Sequence, residues 1–133
     1  MEYAIETRGL TRKFGKQTAV DGLDLQVPVG TVCGFLGRNG AGKTTTIRLL
    51  MNMLDPTSGE VEVLGMDPRK SDISLKERVG YVSEDPALYD WMKVGEMIWF
   101  TGQLHRQWDQ KKVEDLLGRF GLDLDQKVKH LSR

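Results

Sequence analysis

One segment constrains the fold of this chain more than any other, a glycine-rich run that ends in Lys-Thr. Residues 37–44 match the pattern G-x-x-x-x-G-K-S/T at every defined position. Loops of this pattern hold phosphate groups when a strand leads into them and a helix follows, because the helix N-terminus directs backbone N–H groups at the anion. The motif therefore predicts a nucleoside triphosphate site in a strand–loop–helix unit. The alternative is a glycine-rich turn that happens to end in Lys-Thr.

The flanks of the loop have the required character. Residues 31–36 form a short apolar run without polar alternation, which predicts a strand buried on both faces of a parallel sheet. After the loop, apolar residues recur at the spacing of one helix face. They are Ile47, Leu50, Met51 and Leu54. We therefore expect the loop to join a core strand to a helix that packs on the sheet.

Each defined position of the pattern has a chemical reason in this loop. Gly37, Gly40 and Gly42 lack a Cβ, so the backbone can adopt unusual dihedral angles and approach a pyrophosphate closely. Lys43 would bring a compact positive charge to the β- and γ-phosphates, which makes it a candidate catalytic residue as well as a binding residue. The hydroxyl group of Thr44 is a candidate ligand of Mg²⁺.

Composition limits the class of protein. The 133 residues suffice for one ordinary domain, and 19 Lys and Arg balance 19 Asp and Glu, so no basic field argues for a nucleic-acid partner. The single cysteine, Cys33, excludes an internal disulfide and a multi-cysteine metal site, and its apolar neighbours predict a core residue. We expect neither a targeting segment nor a membrane span, since no apolar run is long enough.

The segments around the loop differ in periodicity. Three stretches alternate apolar with polar residues and predict half-exposed strands of an antiparallel sheet, at residues 2–6, 23–27 and 60–63. Residues 12–16 predict a turn, and residues 78–82 predict a second strand of the main sheet.

From Pro86 onward the pattern becomes helical. One helix is predicted by the apolar residues Val94, Met97, Ile98 and Leu104. A second helix is predicted by Val113, Leu116, Leu117 and Phe120. Asp109 is the candidate N-cap of this second helix, and Gly121 is its candidate stop.

Four segments together extend the argument beyond the loop. They are residues 37–45, 56–61 (Pro-Thr-Ser-Gly-Glu-Val), 79–84 (Val-Gly-Tyr-Val-Ser-Glu) and 131–133 (Leu-Ser-Arg). In this order they resemble the ATP-binding subunit of an ABC transporter of the exporter type. The resemblance implies an α/β fold of the P-loop NTPase class with an incomplete parallel core sheet. Residues 1–84 would form an incomplete ATP-binding core with an antiparallel β subdomain, and residues 85–133 would form a helical subdomain that reaches the start of the signature motif.

The resemblance also assigns nucleotide contacts. The loop would bind ATP through Gly37, Arg38, Asn39, Gly40, Ala41, Gly42, Lys43, Thr44 and Thr45. Phe14 stands where the family places an aromatic side chain that stacks on adenine, and the alternative is a phenylalanine that caps the small sheet. Glu84 stands where the family usually has a glutamine that contacts Mg²⁺ and the attacking water, and the alternative is a surface carboxylate. A carboxylate can bind Mg²⁺ but cannot donate a hydrogen bond to water.

The aromatic residues suggest partners. Residues 86–108 hold Tyr89, Trp91, Trp99, Phe100 and Trp108. In the family this region receives the transmembrane partner, so an interface with the transmembrane subunits of an exporter is predicted, with a helical core as the alternative. The resemblance further implies ATP and Mg²⁺ as ligands, a second ATP-binding subunit in a dimer and no nucleic acid. It places the protein in the cytoplasm, at the inner face of the membrane through its partners.

The last three residues resemble the opening of the family's signature motif. No apolar strand ending in Asp-Glu follows Glu84, and His105 and His130 precede the signature, so the family's hydrolytic groups are not expected here. We interpret the chain as the N-terminal portion of a subunit that hydrolyses ATP to drive export, and expect ATP binding with little hydrolysis from this portion. The alternatives are a soluble non-transport ABC ATPase and a non-hydrolysing nucleotide-binding interaction module.

Overall fold

A computed structural model describes residues 2–131 of the chain. Ser132 and Arg133, two of the three residues that resemble the signature motif, lie outside the described residues. The chain divides into two compact units, Met1–Gly80 and Tyr81–Arg133. The predicted division into an ATP-binding core with a β subdomain, residues 1–84, and a helical subdomain, residues 85–133, stays a prediction.

The first unit contains a three-stranded antiparallel sheet in the order β2-β1-β3. Its strands are β1 (Tyr3–Phe14), β2 (Gln17–Pro28) and β3 (Ser58–Val63). The predicted antiparallel sheet is therefore confirmed. The predicted turn over residues 12–16 is wrong in extent, because the ladder between β1 and β2 continues to the pair Phe14 and Gln17. Only residues 15–16 form the turn, where Gly15 adopts a positive φ of 56°.

Side chains complete the hydrogen bonding where the β1–β2 ladder is irregular. The register shifts between Thr7 and Leu10. There the buried Thr7 hydroxyl donates to the carbonyl oxygen of Leu23 at 2.8 Å and accepts from the N–H of Leu25 at 3.0 Å. The neighbouring N–H of Gly9 donates to an Asp24 carboxylate oxygen at 2.6 Å. Backbone groups at the irregular part of the ladder thus find side-chain partners.

The core of this unit lies between the sheet and two helices, α1 (Lys43–Leu50) and α2 (Asp72–Lys76). Its buried members are Leu10, Val20, Leu49, Val61, Val63 and Leu75. The predicted helix after the loop is confirmed as α1, and of its predicted apolar residues Leu50 and Leu54 pack against this core and Met51 is buried. The helix buries Thr46 and Leu49, and it ends before Leu54.

The end of α1 explains why Leu54 lies outside the helix. Asn52 adopts a positive φ of 52°, its N–H donates to the carbonyl oxygen of Leu49, and the N–H of Met53 donates to that of Arg48. This pattern is a Schellman motif, which terminates a helix. The Asn52 amide also donates to Asp72 at 2.9 Å, and Lys76 pairs with Asp72 at 2.7 Å. The hydrogen bonds from Lys76 and Asn52 lower the pKa of Asp72.

The two predicted strands of a parallel sheet are not formed. Residues 31–36 and 78–82 pair with no strand within residues 2–131. Val32, Leu36 and Val82 are at least 90% exposed, and Cys33, predicted to be a core residue, is also exposed. A buried strand requires a neighbour for its N–H and C=O groups, and no described segment provides one.

The second unit contains α3 (Val94–Gln103), α4 (Gln110–Phe120) and a short 3₁₀ turn, Val128–His130. Both predicted helices are confirmed. Asp109 accepts a hydrogen bond from the N–H of Lys112 at 3.0 Å, and Gly121 ends α4 with a φ of 61°, so both predicted caps are confirmed. Leu104 follows α3 and is exposed, because the helix ends one residue earlier.

We predict that Thr7→Val destabilises the first unit by about 2–4 kcal/mol, because it leaves the Leu23 carbonyl and the Leu25 N–H without a partner. Thr18→Val, an exposed position on β2, is the matched control and should change stability by less than about 0.5 kcal/mol. Urea unfolding measures both. Equal, small losses for the two variants would mean that the Thr7 hydroxyl does not support the bulge.

Candidate nucleotide-binding site

The glycine-rich loop leads directly into α1. Its N–H at Ala41 donates to the carbonyl oxygen of Arg38 at 3.0 Å, which closes a turn at the centre of the loop. Gly42 follows in the left-handed conformation, with φ 89° and ψ 9°, and caps the helix that begins at Lys43. The first N–H groups of a helix have no partner within it, so they are available to an anion at this end.

The three glycines of the motif are required for different reasons. A Cβ on Gly42 would lie 2.1 Å from the carbonyl oxygen of Ala19 on β2, so the loop backbone packs directly on the sheet there. Gly40 has a φ of 80° and open space around it. A Cβ on Gly37 would lie 3.2 Å from that of Ala41. Position 42 requires glycine because a Cβ would come too close to β2. Position 40 requires glycine because its φ is positive.

Lys43 turns back over its own loop. Its ammonium group donates to the carbonyl oxygen of Gly37 and, at 2.9 Å, to that of Arg38. The positive charge therefore lies against the loop, beside the N-terminus of α1, where the helix dipole also favours an anion. This arrangement combines a cation with backbone N–H donors, the groups that hold phosphate oxygens.

Three consecutive threonines open α1 and face different surroundings. Thr44 is exposed and Thr45 is half-buried. Thr46 is buried, and its hydroxyl donates to the carbonyl oxygen of Gly42 at 2.8 Å. Sequence reasoning missed Thr46, although a threonine four residues after the cap can bond back to its carbonyl group. Thr46 thus attaches Gly42 to the first turn of α1. The side chain of Thr44, two residues earlier, is exposed to solvent.

Phe14 lies at the end of β1, beside the hairpin turn, rather than in a turn as predicted. Its side chain is 46% exposed. The guanidinium carbon of Arg12 lies 4.5 Å from the centre of the Phe14 ring. The sequence analysis did not identify Arg12.

Glu84 belongs to the second unit, where it is exposed and lies outside the helices. Its predicted contacts with Mg²⁺ and water stay predictions. Among residues 2–131 no group of three or more His, Cys, Asp or Glu side chains could hold a metal ion. Nor does any helix of that part of the chain have the length and apolar character needed to cross a membrane.

The aromatic segment of the second unit divides into packed and exposed side chains. Tyr89 contacts Phe100 edge to face, with ring centres 5.8 Å apart. A Cβ on Gly102 of α3 would lie 3.1 Å from the Trp108 ring, so this tryptophan packs closely on the helix. Trp91 and Trp99 are each 67% exposed. None of the five aromatic side chains of this segment is fully buried, and the interface with transmembrane subunits stays a prediction.

Comparison with known proteins identifies relatives. The sequence pattern of one protein family, described as ABC transporter, matches residues 20–133. The bacitracin transport ATP-binding protein BcrA of Bacillus licheniformis is 35% identical over 127 residues, covering 96% of this chain and 42% of the relative. The daunorubicin resistance ATP-binding protein DrrA3 of Streptomyces coeruleorubidus is 37% identical over 122 residues, covering 90% and 39%. The chain therefore spans about two fifths of the length of these curated relatives.

Solved structures share the fold. A structure described as an ATP-binding subunit of an ABC transporter aligns with a TM-score of 0.84 at 22% identity, covering 97% of this chain and 56% of that one. The protein cbiO1 from Clostridium perfringens, described as part of the ABC transporter complex cbiONQ, aligns with a TM-score of 0.79 at 26% identity. That alignment covers 99% of this chain and 57% of cbiO1. The predicted P-loop NTPase fold is thereby confirmed.

We predict that Gly42→Ala lowers the free energy of unfolding by at least about 2 kcal/mol more than Gly40→Ala does, in the absence of nucleotide. Both glycines have a positive φ, so both variants carry backbone strain, but only the Cβ at position 42 meets the Ala19 carbonyl group. Urea unfolding of the two variants gives the comparison. Equal losses would contradict the proposed packing of the loop on β2.

Proposed function

This chain belongs to the ABC transporter family, and we propose that it is the part of a transporter's ATP-binding subunit that holds the phosphates and the base of ATP. The observation that carries this proposal is the placement of Lys43, whose ammonium group lies against its own loop at the N-terminus of α1. Carbonyl oxygens hold the lysine there, and phosphate oxygens are stronger acceptors for an ammonium group. A triphosphate can therefore take over these hydrogen bonds.

The loop supplies binding energy in two forms. The backbone N–H groups at the start of α1 and the dipole of that helix favour the α- and β-phosphates. The proposed nucleotide contacts are the eight residues of the motif and Thr45, which would lie near the α-phosphate. They are Gly37, Arg38, Asn39, Gly40, Ala41, Gly42, Lys43, Thr44 and Thr45.

Mg²⁺ is the proposed metal, and the exposed Thr44 hydroxyl is its proposed protein ligand. Mg²⁺ prefers oxygen ligands and usually retains water molecules while it binds one or two side chains and the phosphates of a nucleotide. A single hydroxyl at the start of α1 fits this mode. When bound, Mg²⁺ neutralises charge on the β- and γ-phosphates. Glu84 is retained as a candidate second ligand and catalytic residue on the basis of the resemblance.

Phe14 is the proposed contact for adenine. Its ring is half-exposed at the end of the β1–β2 hairpin, so one aromatic face can receive a base. Stacking of a base on an aromatic side chain contributes about 1–3 kcal/mol and does not require a specific hydrogen-bond pattern. Phosphate binding by the loop and base stacking on Phe14 together favour a nucleotide over free phosphate as the ligand.

We propose export as the function of the whole subunit, powered by ATP. The relatives named for bacitracin transport and daunorubicin resistance support a substrate that leaves the cell. The proposal includes transmembrane partner subunits, a second ATP-binding subunit and a place at the cytoplasmic face of the membrane. The exposed Trp91 and Trp99 of the second unit fit a partner interface, because interfaces are enriched in tryptophan.

We predict that Lys43→Ala weakens binding of Mg²⁺·ATP at least about tenfold, because it removes a charge-assisted hydrogen bond to the phosphates. Isothermal titration calorimetry of the 133-residue chain measures the dissociation constant. Lys111→Ala, an exposed lysine on α4, is the control and should bind like the wild type. Unchanged affinity in the Lys43 variant would refute phosphate binding by this loop.

We predict that Thr44→Val removes most of the gain in ATP affinity that Mg²⁺ provides, while affinity in EDTA stays within about twofold of the wild type. The comparison variant is Thr45→Val, at the neighbouring position. In this variant the ratio of the ATP affinity with Mg²⁺ to that in EDTA should match the wild type. Titrations with and without Mg²⁺ give both ratios. A preserved ratio in Thr44→Val would exclude this hydroxyl as a metal ligand.

A further inference from the structure

Arg12 and Phe14 form a cation–π pair near the tip of the β1–β2 hairpin. They are two residues apart on β1, so their side chains leave the strand on the same side. The guanidinium carbon lies 4.5 Å from the ring centre, a distance at which a cation is attracted to the face of an aromatic ring. One face of Phe14 is thus covered, while the side chain as a whole is 46% exposed.

The guanidinium group is also held by a hydrogen bond. One of its terminal N–H groups donates to the carbonyl oxygen of Asp55 at 2.7 Å. The strand on either side of Arg12 is tied to the same segment, because Lys13 N–H donates to the Thr57 hydroxyl at 3.0 Å and Thr57 N–H donates to the Thr11 carbonyl at 2.8 Å. The hairpin tip is therefore anchored to the connection between α1 and β3.

A second observation concerns the Nε atom of Arg12. This atom is buried and has no hydrogen-bond partner among the residues that the structure describes. A buried donor without a partner destabilises the folded state, and such groups are uncommon in native proteins. An apolar side chain at position 12 would avoid this cost, so the unpaired Nε favours a role for the arginine beyond its hydrogen bond to Asp55.

From this geometry we infer that Arg12 is a positioning residue for the stacking of adenine on Phe14, an inference that rests on the proposed function. The guanidinium group fixes the orientation of the ring before the base arrives, which reduces the entropy lost on stacking. It also offsets the negative charge of the ring face, which weakens the repulsion between the π systems of the ring and the base.

The side-chain type matters to this role. A guanidinium group is planar, so it can lie flat on the ring and still donate an N–H to the Asp55 carbonyl in its own plane. The ammonium group of a lysine is a point charge and does not stack. Arg12→Lys should therefore retain part of the effect, and Arg12→Met should lose it while filling similar space.

The test compares the dissociation constants of Mg²⁺·ATP and of inorganic triphosphate with Mg²⁺, which has the phosphates but no base. In Phe14→Ala, only the affinity for ATP should fall. In Arg12→Met, the affinity for ATP should fall about three- to fivefold and that for triphosphate should not change. The double variant should match Phe14→Ala, because Arg12 acts through the ring. Arg12→Lys should lie between wild type and Arg12→Met.

Arg8→Met is the matched control, since Arg8 is on the same strand and pairs only with surface carboxylates among the described residues. It should bind both ligands like the wild type. Equal losses for ATP and triphosphate in Arg12→Met and Arg12→Lys would show a purely structural role and overturn the inference. An ATP loss in Phe14→Ala without one in Arg12→Met would overturn the inference alone. Unchanged ATP affinity in Phe14→Ala would overturn adenine stacking and the role of Arg12 together.

Discussion

The close packing of the Gly42 backbone on the carbonyl group of Ala19 is the contact on which the nucleotide-binding arrangement depends. With no Cβ at this position, the loop can rest directly on β2 and enter α1 in the left-handed conformation. The hydroxyl of Thr46 then bonds back to the Gly42 carbonyl group, so the first turn of the helix is attached at the same point. The direction of the helix dipole, and with it the position of the anion site, follows from these two contacts.

Some of this arrangement could be predicted from the sequence because it depends on neighbours in the chain. The caps of α4 at Asp109 and Gly121 are local, since a side chain bonds to a backbone group three residues away and a glycine adopts a positive φ. The order of loop and helix around Lys43 is local as well. In contrast, the strand predicted at residues 31–36 depends on a partner strand, which is a property of the tertiary structure, and no described segment provides one.

The candidate site shows the same division. Its glycines, Lys43 and Thr44 follow from a motif whose chemistry is contained in consecutive residues. Arg12 could not be recognised, because its role is defined by the Phe14 ring and by the Asp55 carbonyl group, which lies far along the chain. Glu84 and the exposed tryptophans of the second unit have residue types that suit their proposed roles. Their partners would be a metal ion or another subunit, and a single sequence contains neither.

The irregular ladder between β1 and β2 has a consequence for association between copies of the chain. An antiparallel sheet of three strands has two open edges, and a flat open edge can pair with a strand of another molecule. Bulges increase the local twist of a sheet and interrupt a uniform edge. Here the edge strands also carry exposed carboxylates, with Asp21 and Asp24 on β2 and Glu60 and Glu62 on β3. The side chains that complete the bulge thereby help to maintain a sheet that resists edge-to-edge aggregation.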